Sequence, residues 1–228
     1  MSAFHVVFPL YPGVTHLDFT GPHQVLSRLP RAKVHVASMG GADIEAEGLV
    51  FTRLEDLRSV QDCDLICVPG GLGTTDAMLD EAFVAEIRRL AGRATYVTSV
   101  CTGSLLLAAA GLLAGRRAAT HWAWRELLKP FGAVVDEARV VRCGNVITGG
   151  GVTAGIDLAL TVAAEVAGRE VAESIQLGIE YAPAPPFDSG RPDTAPEAVL
   201  DRVLERMGPL AKGRMAAAEQ AAARLQSA

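Results

Sequence analysis

The sequence predicts a single α/β domain, in which helices cover both faces of a mostly parallel central sheet. Through the first two-thirds of the 228 residues, short apolar runs alternate with segments of helical periodicity, which is the pattern of strands connected by helices. The run Asp64–Val68 is almost continuously apolar, as expected of a central strand buried on both faces. Half of the residues are hydrophobic, enough to fill one substantial core.

Strands are predicted first at Phe4–Leu10 and then, after the Pro12-Gly13 turn and an amphipathic segment, at Lys33–Ser38. Val50–Thr52 is a short extra strand or one arm of a hairpin. Strands follow at Asp64–Val68 and Thr95–Val100, separated by a glycine-rich loop at residues 69–73. Three short strands complete the set, at residues 134–135, 139–142 and 145–148.

Helices are predicted at Gly103–Leu113, His121–Phe131 and Val152–Ala167. The prolines of Tyr181–Phe187 exclude a helix or a central strand and predict an extended arm or linker. From Pro196 the chain is helical again. We therefore divide it into a catalytic domain, residues 1–195, and a helical extension, residues 196–228, packed on the same domain or on a dimer partner.

Composition argues against several classes of protein. The net charge is −5, which does not favour a nucleic-acid or membrane surface. No apolar run reaches the ~18 residues of a transmembrane helix, and the N-terminus lacks the pattern of a signal peptide. The four cysteines have neither disulfide nor zinc-site spacing. We expect a cytoplasmic protein without metal or organic cofactor.

The segment Tyr96–Leu105 contains the strongest candidate for catalysis. A buried strand leads directly into Cys101, and small residues then open a helix. This strand–nucleophile–helix order is known from serine hydrolases, and it lifts the side chain above the carboxyl edge of the sheet. The helix N-terminus is expected to favour the thiolate. Cys101 is therefore the predicted nucleophile, although most free cysteines are simply small buried residues.

Asp18 follows the first strand, between Leu17 and Phe19. A carboxylate at this place often caps or opens a helix. It can equally lean over the sheet edge towards Cys101 and transfer protons as a general acid and base. The local sequence leaves both interpretations open.

Two glycine-rich loops are the next candidates. Gly70 and Gly71 follow the strand predicted to neighbour that of Cys101, and their backbone N–H groups, with that of Thr102, could stabilise an anion. The second loop, Gly149–Gly151, contains Gly150 and predicts a tight backbone wall near the pocket or close strand packing. Neither loop has the spacing of a Walker or dinucleotide-binding motif.

Among the five histidines, His121 is the one in a suggestive position, on the segment after the helix that follows Cys101. A Cys–His dyad would require it within hydrogen-bonding reach of Cys101. The alternative is a structural histidine that caps the following helix. Cys63, Cys67 and Cys143 are expected to have structural or incidental roles.

Taken together, these motifs resemble the ThiJ/PfpI superfamily from Phe4 to Ala195. The resemblance implies a flavodoxin-like sandwich of the class I glutamine amidotransferase type, and homodimers. It rests on six segments: Leu17–Pro22, Val68–Gly73, Thr98–Ser104, Ala119–Trp122, Thr148–Gly151 and Tyr181–Phe187.

Within the superfamily, the motifs are most similar to those of isocyanide hydratases. That resemblance implies hydration of an isocyanide to an N-substituted formamide through a thioimidate on Cys101, with Asp18 as general acid and base. Gly71, Thr102 and Gly150 would position the reactants or stabilise an anion, and His121 would shape the pocket. The implied partner is a small-molecule substrate, with no nucleic acid or membrane.

Other activities in the superfamily fit less well. Peptidase-like members carry histidine where Thr102 stands, and glyoxalase-like members carry glutamate where Asp18 stands. The same domain also senses ligands in AraC-type regulators, but the segment after Pro196 predicts one helix and the chain is acidic. A glyoxalase or deglycase, or a ligand- or oxidation-sensing domain, are the alternatives.

Overall fold

A computed structural model describes residues 3–227. Its main sheet has seven strands in the order β10-β11-β7-β6-β1-β2-β5. All neighbours are parallel except the β10–β11 hairpin. The strands are β1 (Phe4–Pro9), β2 (Ala32–Ser38), β5 (Glu55–Asp56), β6 (Leu65–Val68), β7 (Tyr96–Ser99), β10 (Val140–Cys143) and β11 (Val146–Gly149).

Two small two-stranded sheets lie outside the main sheet. One is the antiparallel hairpin of β3 (Ile44–Ala46) and β4 (Leu49–Phe51), so the segment predicted around Val50 is one arm of a hairpin. The other pairs β8 (Arg117–Ala118) with β9 (Val134–Val135) in parallel.

Seven α-helices accompany the sheet within the described residues. They are α1 (His16–Leu26), α2 (Thr74–Leu79), α3 (Glu81–Ala91), α4 (Gly103–Ala109), α5 (Ala154–Ala167), α6 (Arg169–Gly178) and α7 (Glu197–Ser227). The helix predicted at His121–Phe131 is a 3₁₀ helix, Trp122–Phe131. None of the helices described is both long enough and apolar enough to span a bilayer.

The helices form two groups because the chain winds in both directions from β1. The step from β1 to β2 goes one way along the sheet and the step from β6 to β7 goes the other way. Right-handed crossovers in opposite directions place their helices on opposite faces. Accordingly, α1 packs with α5, which also packs with α6, whereas α2, α3, α4 and α7 form a second packed group.

Three helices were absent from the sequence-based expectation. The helices α2 and α3 fill the connection between β6 and β7, and α6 follows α5. The start of α3 has a recognisable signal, because the Asp80 side chain accepts a hydrogen bond from the N–H of Phe83. Its buried Phe83, Val84, Ile87 and Leu90 have helical spacing. The helix predicted to end at Leu113 ends at Ala109, before Gly111 with φ +77°.

After α6 the chain runs as an irregular segment, and its last helix then packs against the rest of the fold. Residues 181–195 have no helix or strand and are mostly exposed. The helix α7 then packs on α2 and α4 and on the 3₁₀ helix. Alanines make up most of its buried face, together with Arg214. Small side chains let α7 approach closely, so that a residue from the end of the chain reaches the carboxyl edge of the sheet.

Candidate active site

Cys101 lies on a strained elbow between β7 and α4. Its φ of 55° is in the left-handed region, which costs a non-glycine residue roughly 1–2 kcal/mol. Its N–H donates to the carbonyl of Gly150 at 2.8 Å, and its carbonyl accepts from the hydroxyls of Ser104 (3.1 Å) and Thr120 (2.9 Å). These bonds hold the elbow, and the residue is only 6% exposed.

Asp18 projects from the first turn of α1 into the same region and is fully buried. Its Oδ2 accepts from the N–H of Gly70 at 3.0 Å. Burial raises the pKa of the carboxyl group to about 7, although the hydrogen bonds from Gly70 and from the Cys101 thiol oppose the rise. Asp18 is therefore a carboxyl group that can exchange a proton near neutrality, and it faces the thiol.

The thiol and the carboxyl group act as a coupled pair. Burial, and next the charge of Asp18, raise the pKa of Cys101, and the backbone N–H groups of Thr102 and Val152 oppose this. The start of α4 does favour the thiolate as expected, because the Thr102 N–H lowers the pKa of the thiol. Burial and the charge of Asp18 outweigh that N–H, so the two buried groups compete for charge and the pair retains at least one proton.

The glycine loop after β6 holds two side chains of the site in place through its backbone N–H groups. The N–H of Gly70 is bonded to Asp18, and the N–H of Gly71 donates to the hydroxyl of Thr102 at 3.0 Å. An added Cβ at Gly70 would lie 2.5 Å from the Thr102 nitrogen and 2.9 Å from Asp18 Oδ2. Glycine is required here because the backbone runs directly between the two catalytic candidates.

Two of the N–H groups considered for an anion-stabilising or positioning role at the site have other partners in this structure. The N–H of Gly71 is bonded to Thr102, and the N–H of Gly150 donates to the carbonyl of Arg139 at 2.9 Å. Of the three residues expected there, Thr102 alone directs its N–H at the thiol. Gly71 and Gly150 instead hold Thr102 and Cys101 in place through hydrogen bonds.

His121 stands away from the thiol in the hydrogen-bond network. Its Nδ1 accepts from the N–H of Ala123 at 3.3 Å, which caps the 3₁₀ helix. Burial, followed by the charges of Arg214 and Arg125, lowers the pKa of His121 to about 4. A neutral imidazole with this capping bond does not form the Cys–His dyad considered above.

A cleft of about 660 Å³ lies beside the elbow. His121 lines it together with Thr120, Gly150 and Val152. Thr120 and Gly150 are also the residues that hydrogen-bond to the backbone of Cys101. The segments that line this cleft are therefore the same segments that hold the backbone of Cys101 in place.

Two polar residues near the site, Tyr11 and Arg214, were not predicted from the sequence. The hydroxyl of Tyr11 donates to the carbonyl of Pro69 and lies 3.0 Å from the hydroxyl of Thr74, which is itself 2.7 Å from that of Thr102. Arg214 of α7 donates to the carbonyls of Gly71 and Leu72. In the sequence, Arg214 stands out only as a cation near the alanines of the last helix. The neighbouring residues do not indicate that it would contact the glycine loop.

The other cysteines lie elsewhere. Burial raises the pKa of Cys63 and of Cys67 to about 12, whereas Cys143 is partly exposed at the end of β10. Residues 3–227 contain no group of three or more His, Cys, Asp or Glu side chains that could hold a metal ion.

The fold and the elbow define a class: an α/β protein with a cysteine nucleophile candidate at the carboxyl edge of a parallel sheet. The family model for DJ-1/PfpI matches residues 4–165. The chain belongs to the DJ-1/PfpI family.

Three individual proteins illustrate its relationships. The chain is 51% identical over 227 residues to an isonitrile hydratase of Pseudomonas putida, covering 98% of both proteins. The crystal structure of a ThiJ/PfpI family protein from Pseudomonas syringae superposes with a TM-score of 0.92 at 39% identity, covering 96% of this chain and 91% of the other. Drosophila melanogaster DJ-1beta superposes with a TM-score of 0.69 at 27% identity, covering 80% and 100%.

Proposed function

We propose that this protein is a cofactor-independent isocyanide hydratase, which converts R–N≡C and water to R–NH–CHO. The observation that carries the proposal is the buried Cys101–Asp18 pair, in a chain 51% identical over nearly its whole length to an isonitrile hydratase. Isonitrile and isocyanide are two names for the same functional group. Its carbon accepts a soft sulfur nucleophile, and the product requires two protons to be delivered at defined positions.

The first half-reaction uses the single proton of the pair. Asp18 takes the thiol proton, and the sulfur forms a bond to the isocyanide carbon. The same proton then passes from Asp18 to that carbon, because the formamide product carries a hydrogen there. The result is a thioimidate, R–N=CH–S–Cys101, with Asp18 ionised again.

In the second half-reaction, Asp18 accepts a proton from a water molecule that adds to the thioimidate carbon. The proton is transferred to nitrogen, and the tetrahedral adduct expels the Cys101 sulfur as the carbonyl forms. The remaining hydroxyl proton returns to the Cys101–Asp18 pair. One water is consumed and the enzyme is regenerated.

The surrounding residues are assigned to positioning. The Thr102 N–H stabilises charge on sulfur, Gly71 holds Thr102, and Gly150 holds the Cys101 backbone. His121 shapes the cleft through which the substituent R of the isocyanide would extend. We also propose that the protein is a homodimer, so sedimentation equilibrium should give a mass of twice 23.9 kDa. We propose a cytoplasmic location, because free cysteines suit a reducing compartment.

The test is incubation with cyclohexyl isocyanide in D₂O, followed by proton and deuterium NMR of the product. We expect N-cyclohexylformamide that carries deuterium at the formyl carbon. Cys101→Ala should reduce turnover to background, whereas Cys143→Ala, which changes a distant partly exposed thiol, should leave it unchanged. Normal turnover by Cys101→Ala, or no formamide from the wild type with several simple isocyanides, would reject the proposal.

A further inference from the structure

Arg214 is a buried cation that the end of the chain brings to the active site. It is 2% exposed, and its guanidinium stacks 4.5 Å from the centroid of the Trp124 ring. Nη2 donates to the carbonyls of Gly71 (3.0 Å) and Leu72 (3.2 Å), and Nε to the hydroxyl of Thr75 (3.3 Å). These partners are neutral oxygens, so they do not cancel the positive charge.

Arg214 donates hydrogen bonds to the turn that also holds Asp18 and the residue after Cys101 in position. The Gly71 carbonyl accepts from Arg214 and from Thr74, while the N–H groups of Gly70 and Gly71 hold Asp18 and Thr102. One guanidinium on α7 is therefore joined through a single turn to both the carboxyl group and the residue after the nucleophile. A planar group with fixed donors suits this task, since it can satisfy adjacent carbonyls at once.

We propose that Arg214 is a positioning residue of this active site: it fixes the Gly70–Leu72 turn beside Cys101, and its uncompensated charge favours the thiolate. The effect on turnover rests on the proposed function, whereas the effect on the thiol does not. Burial lowers the pKa of Arg214, but negative charge on Tyr11 or Cys101 raises it, as expected of groups close to one another. Arginine remains protonated throughout.

Four titratable groups on different elements lie around this turn, and among them the charge of Asp18 acts on Cys101 directly. Asp18 on α1 and Tyr11 after β1 are acids, and burial raises the pKa of both. His121 is kept neutral beside Arg214. Arg214 is thus the cation of this set, and its removal should make the Cys101 thiolate harder to form.

The experiment measures alkylation of Cys101 by iodoacetamide from pH 6 to 10, read as the modified peptide by mass spectrometry, together with kcat and KM. Arg214→Met should slow Cys101 alkylation about tenfold at a given pH and shift its onset to higher pH. It should lower kcat by about 10–100-fold, as small displacements of catalytic groups do, with a smaller change in KM. Arg214→Lys keeps the charge but cannot make all three contacts, so it should retain the alkylation profile while kcat falls severalfold.

Controls separate this role from simple anchoring of the helix. Arg224 also lies on α7, where it donates to the Leu79 carbonyl (3.1 Å) and pairs with Glu81 (3.2 Å) away from the thiol. Arg224→Met should leave both measurements unchanged, and Cys143 in the same samples is an internal reference for reagent and pH.

A folded Arg214→Met variant with wild-type alkylation and kcat would overturn the proposal. If that variant does not fold, Arg214→Lys decides the question, and an unchanged kcat would overturn the positioning role. If the wild type makes no formamide, the proposed function fails, yet Cys101 alkylation still tests the effect of Arg214.

Discussion

At the scale of single residues, the chemistry depends on a carboxyl group whose charge is disfavoured by its surroundings. Full burial of Asp18 removes the hydration of the carboxylate, and one backbone N–H from Gly70 replaces only part of it. The same burial acts on Cys101, so each group ionises more readily when the other is neutral. The pair is therefore ready to pass a proton from sulfur to oxygen and onward to a substrate.

This coupling predicts an acidic limb in the pH dependence of kcat/KM. The active form has one proton on the pair, and below about pH 7 Asp18 becomes protonated, so that the thiol has no base. We expect kcat/KM to fall tenfold per pH unit below that value. Asp18→Asn should be slower by about 10²–10⁴-fold, and its profile should be flat where the wild type falls. Steady-state kinetics from pH 5 to 9 with both proteins provide the measurement; an identical limb in Asp18→Asn would assign it to another group.

At the scale of elements, the sequence predicts best where the signal is local. The apolar run Asp64–Val68 and the strand leading to Cys101 identify buried parallel strands, and the parallel sheet with its elbow is confirmed. The α2–α3 pair was not predicted: α2 has only six residues and no side-chain cap, although the Asp80 cap and the helical spacing after it do indicate α3. The hydrogen bonds of Gly71 and Gly150 could not be predicted, because a backbone donor finds its partner only after residues distant in sequence have packed.

The loop between β6 and α2 provides a test of how closely these elements must approach. Gly70→Ala places a methyl group against the Thr102 nitrogen and Asp18, which should separate Asp18 from the elbow. We expect kcat/KM to fall about 100-fold, and the free energy of unfolding by about 1–3 kcal/mol. Enzyme assays and urea titrations measure the two quantities.

Gly178→Ala is the matched control for that substitution. Gly178 ends α6, and an added Cβ would meet nothing within 4 Å. Alanine there should leave activity unchanged and stability equal or slightly higher. If Gly70→Ala behaved in the same way, the close packing of the loop against the elbow would not matter for function.

At the scale of the whole molecule, the site combines parts that are far apart in the chain. Asp18 comes from α1, the glycine loop follows β6, the elbow follows β7, and Arg214 returns from α7. Parallel strands bring the first three together because their carboxyl ends share one edge, and a change in winding direction next to β1 opens a crevice there. Arg214 reaches the edge by a different route, through α7 packing on α2, which no strand pattern predicts.

This arrangement has a consequence for the stability of the entire fold. The pKa of Asp18 is about 7 in the folded protein and 3.8 in its ordinary state. Between these values folding takes up a proton, so raising the pH opposes folding and stability is lost as pH rises from about 4 to about 7. The full effect corresponds to roughly 4 kcal/mol. Ionisation of Asp18, which the proposed catalysis needs, thus lowers the stability of the native state.

Asp18→Asn should therefore be more stable than the wild type at pH 8, by about 2 kcal/mol once the incomplete hydrogen bonding of a buried amide is deducted. At pH 5 the difference should be much smaller, because Asp18 is then protonated in the folded wild type. His23 and His121, whose pKa values are lowered by burial, act in the opposite direction at low pH. Their contribution cancels when the wild type and the variant are compared at both pH values.

Urea unfolding at pH 5 and pH 8 measures the four free energies. Protein concentration must be equal throughout, since the stability of the proposed homodimer would depend on it. Equal stability differences at the two pH values would show that Asp18 does not carry the raised pKa. If the stability advantage of Asp18→Asn grows with pH, then the group that exchanges the proton in the active site is also the group whose ionisation destabilises the fold, namely Asp18.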